Sequence, residues 1–183
     1  MKDTSKNAVE ERIKQGWNSF GQYKNILQDK DIPINLKSKV FDQCILPTLT
    51  YGCQTWNITK DNMKRLRTTQ REMERKMLGF KLMDRIRCTE IRRRTKVTDV
   101  IQHVTKQKAK WAGHVARLND NRWTKRTTDW IPRDMTRSRG RQPRRWRDDL
   151  VEHFGPAWLR TARDRTGWKK LTEGYIQQWI DLA

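Results

Sequence analysis

Apolar positions along this chain recur at three- and four-residue steps almost from end to end, the spacing of helices that bury one face. Residues 5–29 carry Val9, Ile13, Trp17, Phe20 and Ile26 or Leu27 in that rhythm, and Asp31 and Pro33 interrupt it. From Ile34 a largely apolar helix is expected, with Leu36, Val40, Cys44, Ile45 and Leu49 inward and Pro47 kinking or splitting it. Thr59 is a good N-cap, and Asp61 places an acid in the first turn that follows. The next helix shows a seam of Met63, Leu66, Gln70, Met73 and Met77, read as a core face. Lys64, Arg65, Arg67, Arg71, Arg75 and Lys76 occupy its other sides, and Gly79 ends it.

Residues 84–96 predict a short helix led by Thr89 and Glu90, with Arg92, Arg93 and Arg94 in a row. Thr98 or Asp99 caps the next helix, with Val100, Ile101, Val104, Trp111, Val115 and Leu118 inward and Lys106, Lys108, Lys110 and Arg117 outward. Pro132, Gly140 and Pro143 make the stretch that follows mostly loop. Two closing helices are expected, Arg144–Phe154 and Ala157 to about Ile180, the latter broken near Gly167. No alternating stretch of strand length occurs. The expected fold is all-α, a helical bundle in two lobes: residues 1–81, a basic connector 82–96, and residues 97–183 with a basic, Trp-containing loop at 121–147. Leu49, Val104 and Val115 belong in its core, and Trp111, Trp158, Trp168 and Trp179 should be mostly buried.

Charge changes the picture most at residues 121–147, which hold ten Lys or Arg against two Asp, +8 of the formal +20. Trp123, Trp130 and Trp146 lie among those charges. Such a strip suits a polyanion with flat faces, because arginine neutralises phosphate and indole stacks on an unpaired base. Trp146, just ahead of an amphipathic helix, reads better as a core residue, and Trp123 as a stacking one. Nine tryptophans argue for a packed core although only 34% of residues are hydrophobic. Cys44, Cys53 and Cys88 have neither zinc-site nor disulfide spacing, so reduced thiols in an intracellular compartment are expected. No apolar run approaches the roughly 20 residues needed to span a bilayer, and no signal-peptide pattern opens the chain.

Catalytic and metal-binding patterns are missing. His103 and His114 stand on one predicted helix with roughly 16 Å of axial rise between them, too far to share an ion. Asp148 and Asp149 look like a metal-holding pair, but they fall in the first turn of a predicted helix, where acids offset the unpaired N–H groups. No phosphate-binding loop, nucleophile elbow or HExxH helix is found. No cofactor, metal or small-molecule substrate is expected.

Four segments nevertheless go together: VFDQCILPTLTYGCQTWNIT, QREMERKMLGFKLMDRIRCTEIRRRTKVTDVI, KAKWAGHVARLNDNRWTKR, and GRQPRRWRDDL with the closing YIQQW. In combination they resemble the C-terminal part of LINE-type (non-LTR) retrotransposon endonuclease/reverse transcriptase polyproteins. The resemblance runs from about Ala8 to Trp179. It implies a thumb-like first lobe gripping a template–primer duplex and a basic C-terminal lobe holding element RNA or target DNA. The [FY]xDD hairpin of the palm is missing, as are the nucleotide-binding motifs and the endonuclease, and WRDDL lies downstream of where a palm would be. Met1 is therefore expected to open a truncated copy or a fragment.

The leading expectation is a non-catalytic nucleic-acid-binding module of weak sequence selectivity, since phosphate contacts carry no base information. The residues expected to serve it are Arg92, Arg93, Arg94, Lys106, Lys110, Arg122, Trp123, Lys125, Arg126, Arg133, Arg137, Arg139, Arg141, Arg144, Arg145 and Arg147. Other readings are an accessory portion of a polymerase whose palm is on another chain, an interaction or nuclear-targeting module, and an expressed relic. Residues 137–147 would be the import signal and the Met63–Met77 seam a helix-binding surface. Phosphoryl transfer needs metal ions clamped by converging acids. Primer extension with magnesium or manganese is therefore expected to fail, and extension abolished by D148N/D149N would make those acids catalytic.

Overall fold

A computed structural model describes residues 4–57, 59–118 and 145–181, together with Trp123, Thr124 and Thr128. The described residues are helical with no strand among them, so the fold is all-α. Two compact units form, residues 1–52 with 60–103, and residues 53–59 with 104–183. No described helix is long and apolar enough to cross a membrane.

The first unit opens with the helix Thr4–Gln22, which turns at Tyr23 into the short helix Lys24–Leu27. One continuous helix to residue 29 is thus corrected. The helix Ile34–Val40 runs on through a π-helical stretch, Phe41–Ile45, into Leu46–Leu49. The expected disturbance by Pro47 takes this form. Proline has no N–H and its ring crowds the carbonyl one turn back, and a widened turn relieves both. The Leu46 N–H accordingly reaches five residues back to the Phe41 carbonyl. The Cys44 carbonyl accepts hydrogen bonds from Thr48 Oγ1 (2.9 Å) and Ser19 Oγ (3.3 Å).

The helix Lys60–Leu78 buries Leu66, Gln70, Met73 and Met77. From Leu66 on the seam is core, as expected, while Met63 at its start is half-buried. Gly79, at φ +73°, supplies the left-handed residue at its end, and the Phe80 N–H closes on the Arg75 carbonyl at 2.9 Å. The ends of this helix and of Cys88–Thr95 are satisfied from Ile34–Val40. The buried Lys37 ammonium donates to the Met77 carbonyl (3.1 Å), and Ser38 Oγ donates to the Thr95 carbonyl.

Charge is also taken inside this unit. The fully buried Glu74 accepts from Arg71 and from Thr95 Oγ1. Burial pushes its carboxyl above the usual carboxylate range, against the opposing pull of Arg71 and Thr95. Arg71 Nη2 (2.9 Å) and Arg92 Nη2 (3.2 Å) both reach Asp99 Oδ2. The other oxygen of Asp99 caps Val100–Ala116 by accepting from the N–H groups of Ile101 (2.9 Å) and Gln102 (3.2 Å). Of the two caps expected there, Asp99 serves.

In the second unit Ala112, Ala116, Leu150, Trp158, Ala162 and Trp168 form a core onto which Trp146, Val151, Phe154 and Leu159 pack. Leu49 of the first unit, and Val104 and Val115 of the second, are buried as expected, as are Trp158 and Trp168. Trp111 is only half-buried, and of Trp179 only the backbone is described. The predicted Arg144–Phe154 helix begins instead at Asp148, after a turn at Trp146 and Arg147. The closing helices are Trp158–Thr161 and Arg165–Asp181, so the break expected near Gly167 falls a few residues ahead of it, at 162–164. Asp164 causes this by accepting from the Thr166 N–H at 3.0 Å and restarting the helix. Gly167 leaves room for that carboxylate, which a Cβ there would strike.

Lys108 is the largest departure from the sequence pattern. Expected outside, it is 2% exposed. Its ammonium donates to the Trp56 carbonyl (2.8 Å), pairs with Asp149 (2.7 Å) and lies 5.1 Å from the centre of the Trp146 ring. Asp148 and Asp149 do stand in the first turn of Asp148–Phe154, as expected. Asp149 is in addition the counter-charge that makes a buried lysine tolerable. Removing one partner by Lys108→Ala or Asp149→Ala is expected to cost about 3–5 kcal/mol in urea unfolding, while K108M/D149L costs far less or nothing. Single and double variants of equal stability would show the pair to be unimportant.

Candidate nucleic-acid interface

Two helices of the second unit line one open groove of about 730 Å³. Val100–Ala116 contributes Lys106, Gln107, Lys110, Trp111 and His114, a stripe at three- and four-residue steps. Arg165–Asp181 contributes Arg165, Trp168, Lys169, Thr172, Glu173 and Ile176 in the same rhythm. The helices are locked together beneath the groove. Trp168 Nε1 donates to the Ala109 carbonyl at 2.9 Å, and the indole lies over Gly113, where a Cβ would stand 2.6 Å from it. Arg117 Nη1 donates to the Ala162 carbonyl at 2.8 Å, so that guanidinium serves the fold.

The groove is basic and aromatic. Lys106, Lys110, Arg165 and Lys169 line it with Glu173 as its acid, and the Lys169–Glu173 contact, at 3.9 Å between exposed groups, is too weak to neutralise either. The half-buried Trp111 lies against the His114 ring, 5.4 Å between centres, and offers an aromatic surface in the wall. Cations that track a backbone beside a ring that can stack are what a single strand needs.

Of the residues expected at the site, Lys106 and Lys110 are thus brought together in the groove. Arg145 is exposed and its N–H donates to Asp148 Oδ2 at 2.6 Å, and Arg147 is half-buried beside it. Trp123 is 74% exposed. Trp146 packs inward, donating from Nε1 to the Gln54 carbonyl at 2.7 Å and meeting Trp158 edge-on. Arg122, Lys125, Arg126, Arg133, Arg137, Arg139, Arg141 and Arg144 lie outside the described residues, as does Trp130. The 92–94 cluster belongs to the first unit and is divided in purpose. Arg92 turns inward to Asp99, while Arg93 and Arg94 sit on Glu90 at 2.8 and 2.6 Å.

Arg165, Lys169 and Trp111 were missed as site residues. A signal was present: Lys110–Trp111 and Trp168–Lys169 each place a cation beside an indole, and each has a second cation four residues before the lysine. Among the described residues, no three His, Cys, Asp or Glu side chains converge to hold a metal ion.

The chain is 35% identical over 176 aligned residues to an uncharacterized transposon-derived protein of Caenorhabditis elegans. The match covers 87% of this chain and 62% of that protein, so the chain spans less than two thirds of its relative. No protein-family model matches, and no solved structure matches significantly.

Hydrogen bonds from Arg93 and Arg94 hold the Glu90 carboxyl down to about 2. The support this carboxylate gives the helix is therefore full above its ordinary value of 4.5 and is lost progressively as pH falls from that value through about 2. A carboxyl NMR titration is expected to place Glu90 there. A midpoint in the ordinary range above 4 would mean that Arg93 and Arg94 are disengaged and open to phosphate.

Proposed function

We propose that the chain is a nucleic-acid-binding module without catalytic activity of its own, derived from the C-terminal part of a non-LTR retrotransposon reverse transcriptase. The observation that carries the binding role is the groove in which Lys106, Lys110, Arg165 and Lys169 surround Trp111. The similarity to a transposon-derived protein supports the origin. In this reading the backbone of an RNA or DNA strand follows the four cations while a base stacks on Trp111, and the strip 121–147 adds sequence-independent affinity. The two-lobe division into a thumb-like part and a basic C-terminal part belongs to the same reading. So does a nuclear site of action, with residues 137–147 as the import signal. The relative's greater length leaves room for a polymerase palm outside the span matched here, and this chain would then serve as that enzyme's grip.

Fluorescence anisotropy with labelled single-stranded and duplex oligonucleotides tests the binding role. Affinity should be high at low salt and fall steeply as salt rises. Replacing Lys106, Lys110, Arg165 and Lys169 with Gln should flatten the log–log salt slope by about 3 on single strands, at roughly 0.7 for each phosphate no longer neutralised. Trp111→Ala should weaken single-strand binding by about 1–3 kcal/mol. An unchanged slope in the groove variant would transfer the site to residues 121–147. No binding by the wild type at low salt would end the reading.

A further inference from the structure

The turn Leu82–Asp84 of the first unit displays two apolar side chains that the fold does not use: Leu82 is 76% exposed and Met83 87% exposed. A single exposed leucine is ordinary and calls for no explanation. Here two are adjacent, on a turn that is held shut, in a ring of cations. The Lys81 N–H donates to Asp84 Oδ2 (2.7 Å), the Asp84 N–H to the Lys81 carbonyl (3.2 Å) and the Arg85 N–H to the Leu82 carbonyl (3.3 Å). Arg85 takes a left-handed conformation at φ +50°, which reverses the chain directly behind the pair. Phe80 anchors the near side, its ring 5.4 Å from the Arg94 guanidinium, and on the far side the helix Cys88–Thr95 starts on the Arg87 carbonyl.

Lys81, Arg85 and Arg87 around the pair are all exposed, and the one acid between Gly79 and Cys88 is Asp84, whose carboxylate is spent on the turn. We propose that Leu82 and Met83 form an apolar wedge that enters a base step of a nucleic-acid duplex while Lys81, Arg85 and Arg87 hold the phosphates on either side. The feature is a knob and not a groove, which suits insertion between stacked planes better than capture of a peptide. Side chains of this type serve as wedges elsewhere, and a rigid mounting is what lets them part a stacked pair. Two side chains bury too little apolar surface to anchor a protein in lipid without further signals. The inference rests on the nucleic-acid reading above but on a different unit from its groove.

The test uses the full chain and a duplex DNA of about 20 base pairs carrying 2-aminopurine, whose fluorescence rises when its stacking is broken. Wild-type protein is expected to raise the signal about threefold at saturation, and L82A/M83A to bind with an unchanged salt slope, roughly tenfold weaker and without the rise. R85Q/R87Q is expected to lower the slope by about 2 while leaving the rise at saturation. The groove variant should also keep the rise at saturating protein, which separates the two sites. Because both side chains are exposed, L82A/M83A should fold normally, as circular dichroism will show. A full rise with L82A/M83A, or no rise with wild type that binds, overturns the wedge and leaves the groove standing. So would a defect of L82A/M83A confined to phosphatidylserine vesicles with duplex binding intact, which would make the turn a membrane contact. Failure of the wild type to bind any nucleic acid removes both readings.

Discussion

The second unit depends on one interaction, the pairing of Lys108 with Asp149 in its interior. An ammonium cannot stay buried alone, so the chain must bring it a carboxylate and further acceptors. Asp149 and the Trp56 carbonyl meet that demand, which ties the start of Asp148–Phe154 and the segment 53–59 to one side of Val100–Ala116. With Lys108 turned inward, helical geometry turns Lys106 and Lys110, two residues to either side, away from it. Two of the groove's four cations therefore stand on the side of the helix opposite a buried lysine that takes no part in it.

The first unit works by the same rule with more partners. Asp99 joins two arginines and a helix start, and Glu74 joins Arg71 and Thr95 beneath it. Gln70 extends the arrangement, donating to the Thr98 carbonyl and accepting from the Val100 N–H, both at 2.8 Å. A chain with only 34% hydrophobic residues has few side chains to fill an interior, and here paired polar groups complete it. Apolar replacements often match such networks in energy, whereas removal of a single partner leaves a buried charge uncompensated.

A formal charge of +20 therefore overstates what is open to a polyanion. Arg71, Arg92, Lys37, Lys108 and Arg117 are internal struts, and Arg93 and Arg94 are held by Glu90. The cations left to act outward are those that no carboxylate holds firmly. Lys106, Lys110, Arg165 and Lys169, the last only loosely paired with Glu173, are of that kind on their helices, and so are the exposed Lys81, Arg85 and Arg87 around the Leu82–Asp84 turn. Position, and not number, distinguishes the two groups.

Helix content, the core faces through Leu66, Met73, Val104 and Val115, and the cap at Gly79 were all written in the local pattern. Each follows from three- and four-residue spacing or from the conformational freedom of one residue. The basic, aromatic character of the chain was equally plain. Lys108 was the residue most misread, although it stands four residues from both Val104 and Ala112 and so on their inward face. Its charge argued for solvent, and only a partner 41 residues away could reverse that. The π turn before Pro47 and the pairing of the Lys110 and Lys169 stripes likewise depend on how a strained turn relaxes or on groups distant in sequence, whereas the break at 162–164 follows from a local signal, Asp164. Spacing along a chain determines which face of a helix is apolar. Which charges are buried, and which cations share a groove, is decided by electrostatic pairing across the fold, where segments remote in sequence meet.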